Sequence, residues 1–259
     1  MSKLQTIVIA ISCLLFLGLY FGGDTKPETQ GAVEKTRALS ATSTSIASIL
    51  SAAKSNLPVD TSAIISSFEK ELGASNTDSV KVVYLKKLAG TWYDVGRADV
   101  SGYYAEQIAK ILNNEESWSI AGTTYMIGAR KASEDKIRDF CFDNATNAFE
   151  NAISINPSNY ANKVNLALRF TEKPPRDNPM KGILMLIEYN QQAPENVLVL
   201  TTLAGLAIQT NQIDKAIERL NTAISIEPDN IKANCLLVQA YDRIGNQEKA
   251  AQYAAKCID

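Results

Sequence analysis

NAISINPSN spans residues 151–159, and a near-copy, TAISIEPDN, spans residues 222–230 further along the chain. In each copy an alanine shortly precedes a proline, and these prolines are Pro157 and Pro228. A small residue lets two helices approach closely, and proline ends a helix because it cannot donate the next backbone hydrogen bond. The phrase therefore predicts the end of a helix and a boundary between two structural units.

A shorter period connects NQIDKA, at 211–216, with GNQEKA, at 245–250, and the same period separates Pro194 from Pro228. From Ser79 onward the apolar residues recur with helical spacing, and no alternating run is long enough for a strand. A pair of helices repeated every ~34 residues is typical of one repeat class. On these residues the chain resembles the tetratricopeptide-repeat (TPR) family.

An earlier copy of the repeat is longer. WSIAGTTY, at 118–125, is similar to the family pattern W-x2-L-G-x2-Y, with Ala121 in place of leucine. The separation of Trp118 and Pro157 exceeds the family spacing by about 11 residues, which is close to three helical turns. Both helices of this repeat can therefore lengthen in phase, and the insertion, roughly IGARKASEDKIRDF, is expected to project beyond its neighbours.

The resemblance implies an all-α fold, a right-handed α-solenoid of stacked helix pairs over residues 79–259. We expect five repeats in this domain, with the bounds 82–114, 115–158, 159–194, 195–228 and 229–259. Because one helix pair cannot bury its apolar stripe alone, each repeat is expected to share a core with its neighbours.

The amino-terminal stretch LQTIVIAISCLLFLGLYFGG, Leu4 to Gly23, contains no charged residue. Such a helix is long enough to cross a bilayer, and it predicts a single transmembrane helix that serves as a signal anchor. A cleaved signal peptide and a lipoprotein that uses Cys13 are the alternatives. Residues 1–3 would form a cytoplasmic tail and residues 24–78 a tether with one or two helices.

Composition argues against several classes of function. The chain has no histidine and a net charge of -2, so the usual general base and the commonest metal ligand are missing, and no basic surface is indicated for nucleic acid. We expect no enzymatic activity, no cofactor and no metal. The four cysteines include no CxxC pair, and we interpret them as small core residues rather than as a disulfide framework.

The resemblance also implies a concave groove, built by the first helix of each repeat, that binds a protein or peptide. The groove residues that it assigns are Lys86, Tyr93, Ser119, Thr123, Met126, Val164, Leu168, Thr201, Gly205, Ile208, Cys235 and Gln239. Family members that hold a peptide carboxylate place lysine, asparagine and arginine there, whereas this chain has Lys86 among small or apolar residues. An apolar or helical ligand is therefore expected.

These patterns predict a membrane-anchored scaffold or adaptor for protein–protein interactions. We expect it in a bacterial inner membrane, with the repeats in the periplasm, where it would serve the assembly of cell-envelope proteins. The alternative is a structural role, in which the chain forms a membrane-tethered homo-oligomer through its long second repeat. In that version the amphipathic segment 38–57 fills the groove of its own chain.

Overall fold

The computed structural model describes residues 45–257, and the unit that begins at Ile46 is compact by itself. Twelve helices and no strand occur in residues 45–257, so the all-α prediction is confirmed for this part. The predicted transmembrane segment, Leu4 to Gly23, lies outside the described residues. None of the twelve helices is long and apolar enough to cross a membrane.

The helices are numbered here in chain order. They are α1 (Ile46–Ser55), α2 (Val59–Ala74), α3 (Asp78–Asp94), α4 (Ala98–Leu112), α5 (Glu115–Lys131), α6 (Asp135–Ile155), α7 (Tyr160–Glu172), α8 (Lys181–Gln192), α9 (Val197–Gln209), α10 (Ile213–Ile226), α11 (Ile231–Arg243) and α12 (Gln247–Ala254). From α3 onward they form pairs, and we call α3, α5, α7, α9 and α11 the first helices and their partners the second helices.

Stacking of these pairs builds the core. From α2 onward, each helix packs against the next one in the chain, and α5, α7, α9 and α11 also contact one another in succession. Fully buried alanines, such as Ala204, Ala216 and Ala223, lie where helices approach closely, and Leu220 and Leu237 fill the space between them. The core of each repeat is therefore completed by the repeat beside it, as a stack of helix pairs requires.

Each first helix starts at a capping residue whose side-chain oxygen accepts a hydrogen bond from a backbone N–H of the first turn. The caps are Thr77, Asn114, Asn159, Asn196 and Asn230. Such a cap satisfies a donor that the helix itself leaves unpaired. Recurrence of the cap at every repeat sets where each pair begins.

In the last two repeats, the turn between the two helices contains one residue with positive φ. Asn211 has φ 58°, and Gly245, at the equivalent position of the next repeat, has φ 72°. The backbone N–H of the residue that follows donates to a carbonyl of the first helix. Gln212 donates to Ala207, and Asn246 donates to Tyr241. Asparagine and glycine tolerate this left-handed conformation, which explains why they occupy equivalent positions.

The long second repeat is held between its neighbours. On one side, the backbone of Asp99 lies so close to Gly128 that an added Cβ would be 2.8 Å from its nitrogen. On the other side, the guanidinium of Arg130 donates to both carboxylate oxygens of Glu172, with the shortest contact at 2.5 Å. The insertion therefore connects the second repeat to both adjacent repeats.

The described part of segment 38–57 does not lie where a groove filler would. Helix α1 packs on α4, a second helix, and Ile49 and Ala53 are buried in a cluster with residues of α2, α3 and α4. Lys54 forms an ion pair of 2.7 Å with Glu69 in α2. Residues 46–57 thus cover the apolar end of the stack, and the prediction that they fill the groove is wrong for this stretch.

Candidate functional site

The first helices expose a continuous set of side chains that the second helices leave uncovered, and we call this set the first-helix face. Its exposed or half-buried members are Val83, Lys86, Gly90, Tyr93, Glu116, Ser119, Ile120, Thr123, Asn165, Leu168, Leu198, Gly205, Gln209, Gln239 and Asp242. Because α5, α7, α9 and α11 lie side by side, four of the five helices present one surface rather than isolated patches.

Predicted groove residues divide into three groups in the structure. The exposed ones are Lys86, Tyr93, Thr123 and Gln239, and the half-buried ones are Ser119, Leu168, Gly205 and Cys235. Met126, Val164, Thr201 and Ile208 are buried. That eight of the twelve contact a ligand stays a prediction, whereas the four buried side chains are not available to one in this structure.

Packing between neighbouring repeats explains these exceptions. Val164 lies in a cluster with Val199 and Leu203 of the next first helix, and Ile208 packs in the cluster that contains Leu237 of α11. First helices in contact bury the side chains that face one another, so these positions stabilise the stack. Sequence spacing alone does not show which flank of a first helix its neighbour covers.

Three exposed apolar residues of the face were not among the predicted groove residues. They are Val83, Ile120 and Leu198. Ile120 is 54% exposed, although it lies in the middle of α5, on the same side of the helix as Glu116 and Thr123. Residues 116, 120 and 123 form one stripe at helical spacing, so periodicity could have identified Ile120. The groove prediction chose the adjacent position, Ser119.

The part of the face on α3 combines apolar surface with positive charge. Tyr93 is exposed on α3, and the Nζ of Lys131 lies 5.8 Å from the centre of its ring. Lys86 is exposed on the same stripe, and a Cβ added to Gly90 would meet no atom within 4 Å. The α3 part of the face therefore exposes an aromatic ring beside two lysine side chains.

The prediction that the cysteines are small core residues is wrong for two of them, at the carboxy-terminal end of the face. Cys235 and Cys257 form a disulfide with a Cα–Cα distance of 4.7 Å, so Cys235 is not a free groove side chain. The pair closes the last repeat by linking α11 to the residues after α12. Cys141 is the buried small residue that was expected, and burial raises the pKa of its thiol to about 12. Of the three cysteines after Cys13, two therefore form a disulfide and the third is a buried core residue.

A charged cleft of about 660 Å³ lies between the insertion of the second repeat and the α7–α8 turn. Arg138 pairs with Asp135, Lys173 with Asp139, and Arg130 with Glu172, so most of the lining charges neutralise one another. The cleft therefore belongs to the contact that holds the long repeat. Within residues 45–257, no group of three or more cysteine, aspartate or glutamate side chains is arranged to hold a metal ion.

Stacked helix pairs with one face of uncovered first helices define a helical-repeat fold. The family model described as Tetratricopeptide repeat matches residues 199–230 and 231–259, so the chain contains tetratricopeptide repeats there. This finding confirms the resemblance for the last two repeats. No curated protein matches the chain at a significant level.

Several solved structures of other proteins are similar to this chain. They include MamA (18% identity over 68% of this chain and 89% of that chain, TM-score 0.42) and MamA 41-end from Desulfovibrio magneticus RS-1 (16%, 68% and 93%, TM-score 0.42). TTC0263, a thermophilic TPR protein in Thermus thermophilus, has 16% identity over 76% of this chain and 90% of that chain, with a TM-score of 0.46.

Proposed function

We propose that this protein is a TPR scaffold whose first-helix face binds an apolar segment of a protein partner. The observation that carries the proposal is the exposure of Val83, Ile120 and Leu198 on helices whose remaining apolar residues are mostly buried. An exposed apolar side chain gains free energy when a partner removes it from water, at about 25 cal/mol per Å². Lys86 and Lys131, which lie near this surface, favour a partner that also carries acidic side chains.

Site-specific photocrosslinking tests the proposed binding surface. A photoreactive residue at Thr123, on the first-helix face, should capture a discrete partner in the full-length chain, whereas the same residue at Thr222, exposed on α10, should not. Ile120→Asp should lower capture from position 123 by about tenfold, since a charge replaces buried apolar contact. Equal capture from both positions, or capture unchanged by Ile120→Asp, would show that the face is not the binding surface.

For localisation, we propose that residues 4–23 anchor the chain in a bacterial inner membrane with the repeats in the periplasm. There the scaffold would assist the assembly of cell-envelope proteins. The Cys235–Cys257 disulfide supports this proposal, because disulfides persist in oxidising compartments and are rare in the cytosol. The uncharged length of the amino-terminal segment is its second support.

Protease treatment of spheroplasts tests this sidedness. We expect externally added protease to digest the repeats. We also expect Cys235 and Cys257 to stay unlabelled by a thiol reagent after denaturation unless a reductant is added. A Cys13→Ser variant serves as background, so that Cys141 is the single thiol that denaturation exposes. Repeats that are protected in intact spheroplasts, with all the remaining thiols labelled without reductant, would contradict the proposal.

A further inference from the structure

Helix α8, a second helix, has an apolar side that remains exposed and is not part of the first-helix face. It packs mainly on the first helices α7 and α9, and its buried residues are Gly182 and Leu186. On its outer side Leu184 is 52% and Ile187 is 38% exposed, and Met180, just before the helix, is 54% exposed. Residues 180, 184 and 187 follow helical spacing and form one apolar stripe.

Charges at the two ends of this stripe are opposite in sign. Lys181 opens the helix and Glu188 lies two turns later, so both residues flank the same face. Neither forms an ion pair with another described residue: the Nζ of Lys181 lies 3.7 Å from the centre of the Phe170 ring, and Glu188 accepts a hydrogen bond of 3.1 Å from Gln192. The surface is therefore positive, then apolar, then negative along the helix.

We propose that α8 is a docking surface for a second copy of this chain, with the two α8 helices antiparallel about a twofold axis. In that arrangement Lys181 faces Glu188 of the partner subunit, and the symmetry forms this pair twice. The axis lies between residues 184 and 185, so the two copies of Leu184 lie next to each other beside the axis. A parallel pair would place like charges opposite each other and is disfavoured.

The proposed contact between the two α8 helices is small, so the dimer is expected to be weak. Stable interfaces bury about 1,200–2,000 Å² in total, and a helix of 12 residues provides less than this. We therefore expect a reversible dimer that depends on protein concentration. An interface of this kind is self-complementary, so each substitution acts twice.

Cysteine crosslinking in the full-length chain tests the geometry. In a Cys13→Ser background, Leu184→Cys should give a disulfide-linked dimer on mild oxidation, because position 184 lies beside the twofold axis. Thr222→Cys, on the exposed surface of α10, is the matched control and should remain monomeric. A Leu184→Cys chain that crosslinks no more than the control would overturn the proposal.

Reversing the charges at positions 181 and 188 distinguishes a loss of dimer contact from a loss of folding. Lys181→Glu and Glu188→Lys should each lower the crosslinked fraction of the Leu184→Cys chain at least fivefold, since each places like charges opposite one another. The double variant should restore crosslinking, because both ion pairs re-form with reversed sign. Three equally weakened variants would show that the charges do not face each other and would also overturn the antiparallel arrangement.

Discussion

Gly182→Ala is expected to destabilise the protein by about 3 kcal/mol. An alanine Cβ at this position would lie 2.4 Å from the carbonyl oxygen of Ala167 and 2.7 Å from the backbone nitrogen of Thr171. Both atoms belong to the main chain of α7, so no side-chain rotation relieves the overlap. Helices α7 and α8 must move apart, and the burial of Leu186 between them is lost in part.

Gly90→Ala is the matched control for this prediction. Gly90 is also a helical glycine, but an added Cβ would meet nothing within 4 Å. Alanine should therefore stabilise α3 by about 0.5–1 kcal/mol through its higher helix propensity. Urea denaturation followed by circular dichroism measures both effects, and hydrogen exchange should locate the Gly182→Ala loss in α7 and α8. A Gly182→Ala protein as stable as the wild type would contradict the close packing.

Phe149→Ala is expected to cost about 4 kcal/mol, the range for removing a buried aromatic ring. Phe149 is 1% exposed and lies in a cluster with Tyr125, Met126 and Leu166. The cluster connects α5, α6 and α7, so the cavity would open between two repeats. The measurement is the change in urea midpoint at constant denaturant slope.

The same ring also explains why residue 122 is glycine. A Cβ added to Gly122 would lie 2.6 Å from the ring of Phe149, so Gly122→Ala alone should destabilise by about 2 kcal/mol. In the Phe149→Ala background the methyl group enters empty space, and its cost should vanish. The resulting coupling of about 1–3 kcal/mol marks residues in direct contact. Equal costs in both backgrounds would show that ring and glycine do not meet.

Much of the fold was predictable because its rules are local. A proline such as Pro228 cannot continue a helix, and the alignment of Asn211 with Gly245 marked two equivalent positions one repeat apart, at which the structure has positive φ. Helical spacing from Ser79 onward excluded strands for the same reason. The candidate site was predictable only in part: Thr123 and Lys86 are exposed as expected, but Val164 and Ile208 are covered by neighbouring first helices.

The cysteines show most clearly which contacts could not be predicted from the sequence. Cys235 and Cys257 are separated by 22 positions in the chain, and no spacing rule connects them. They meet because α12 runs back along α11 and brings residue 257 beside the first half of α11. Cys141, which is buried alone, could not be distinguished from them in the sequence.

The sequence by itself therefore determined the helix type, the helix ends and the repeat length, since these depend on residues within one or two turns of each other. Tertiary structure alone decided which flank of each first helix is open, where residues 46–57 lie, which cysteines pair, and that Leu184 and Ile187 remain uncovered. These outcomes depend on contacts between different helix pairs. Such contacts follow from how the helices approach one another in space, which the local pattern of any one helix does not contain.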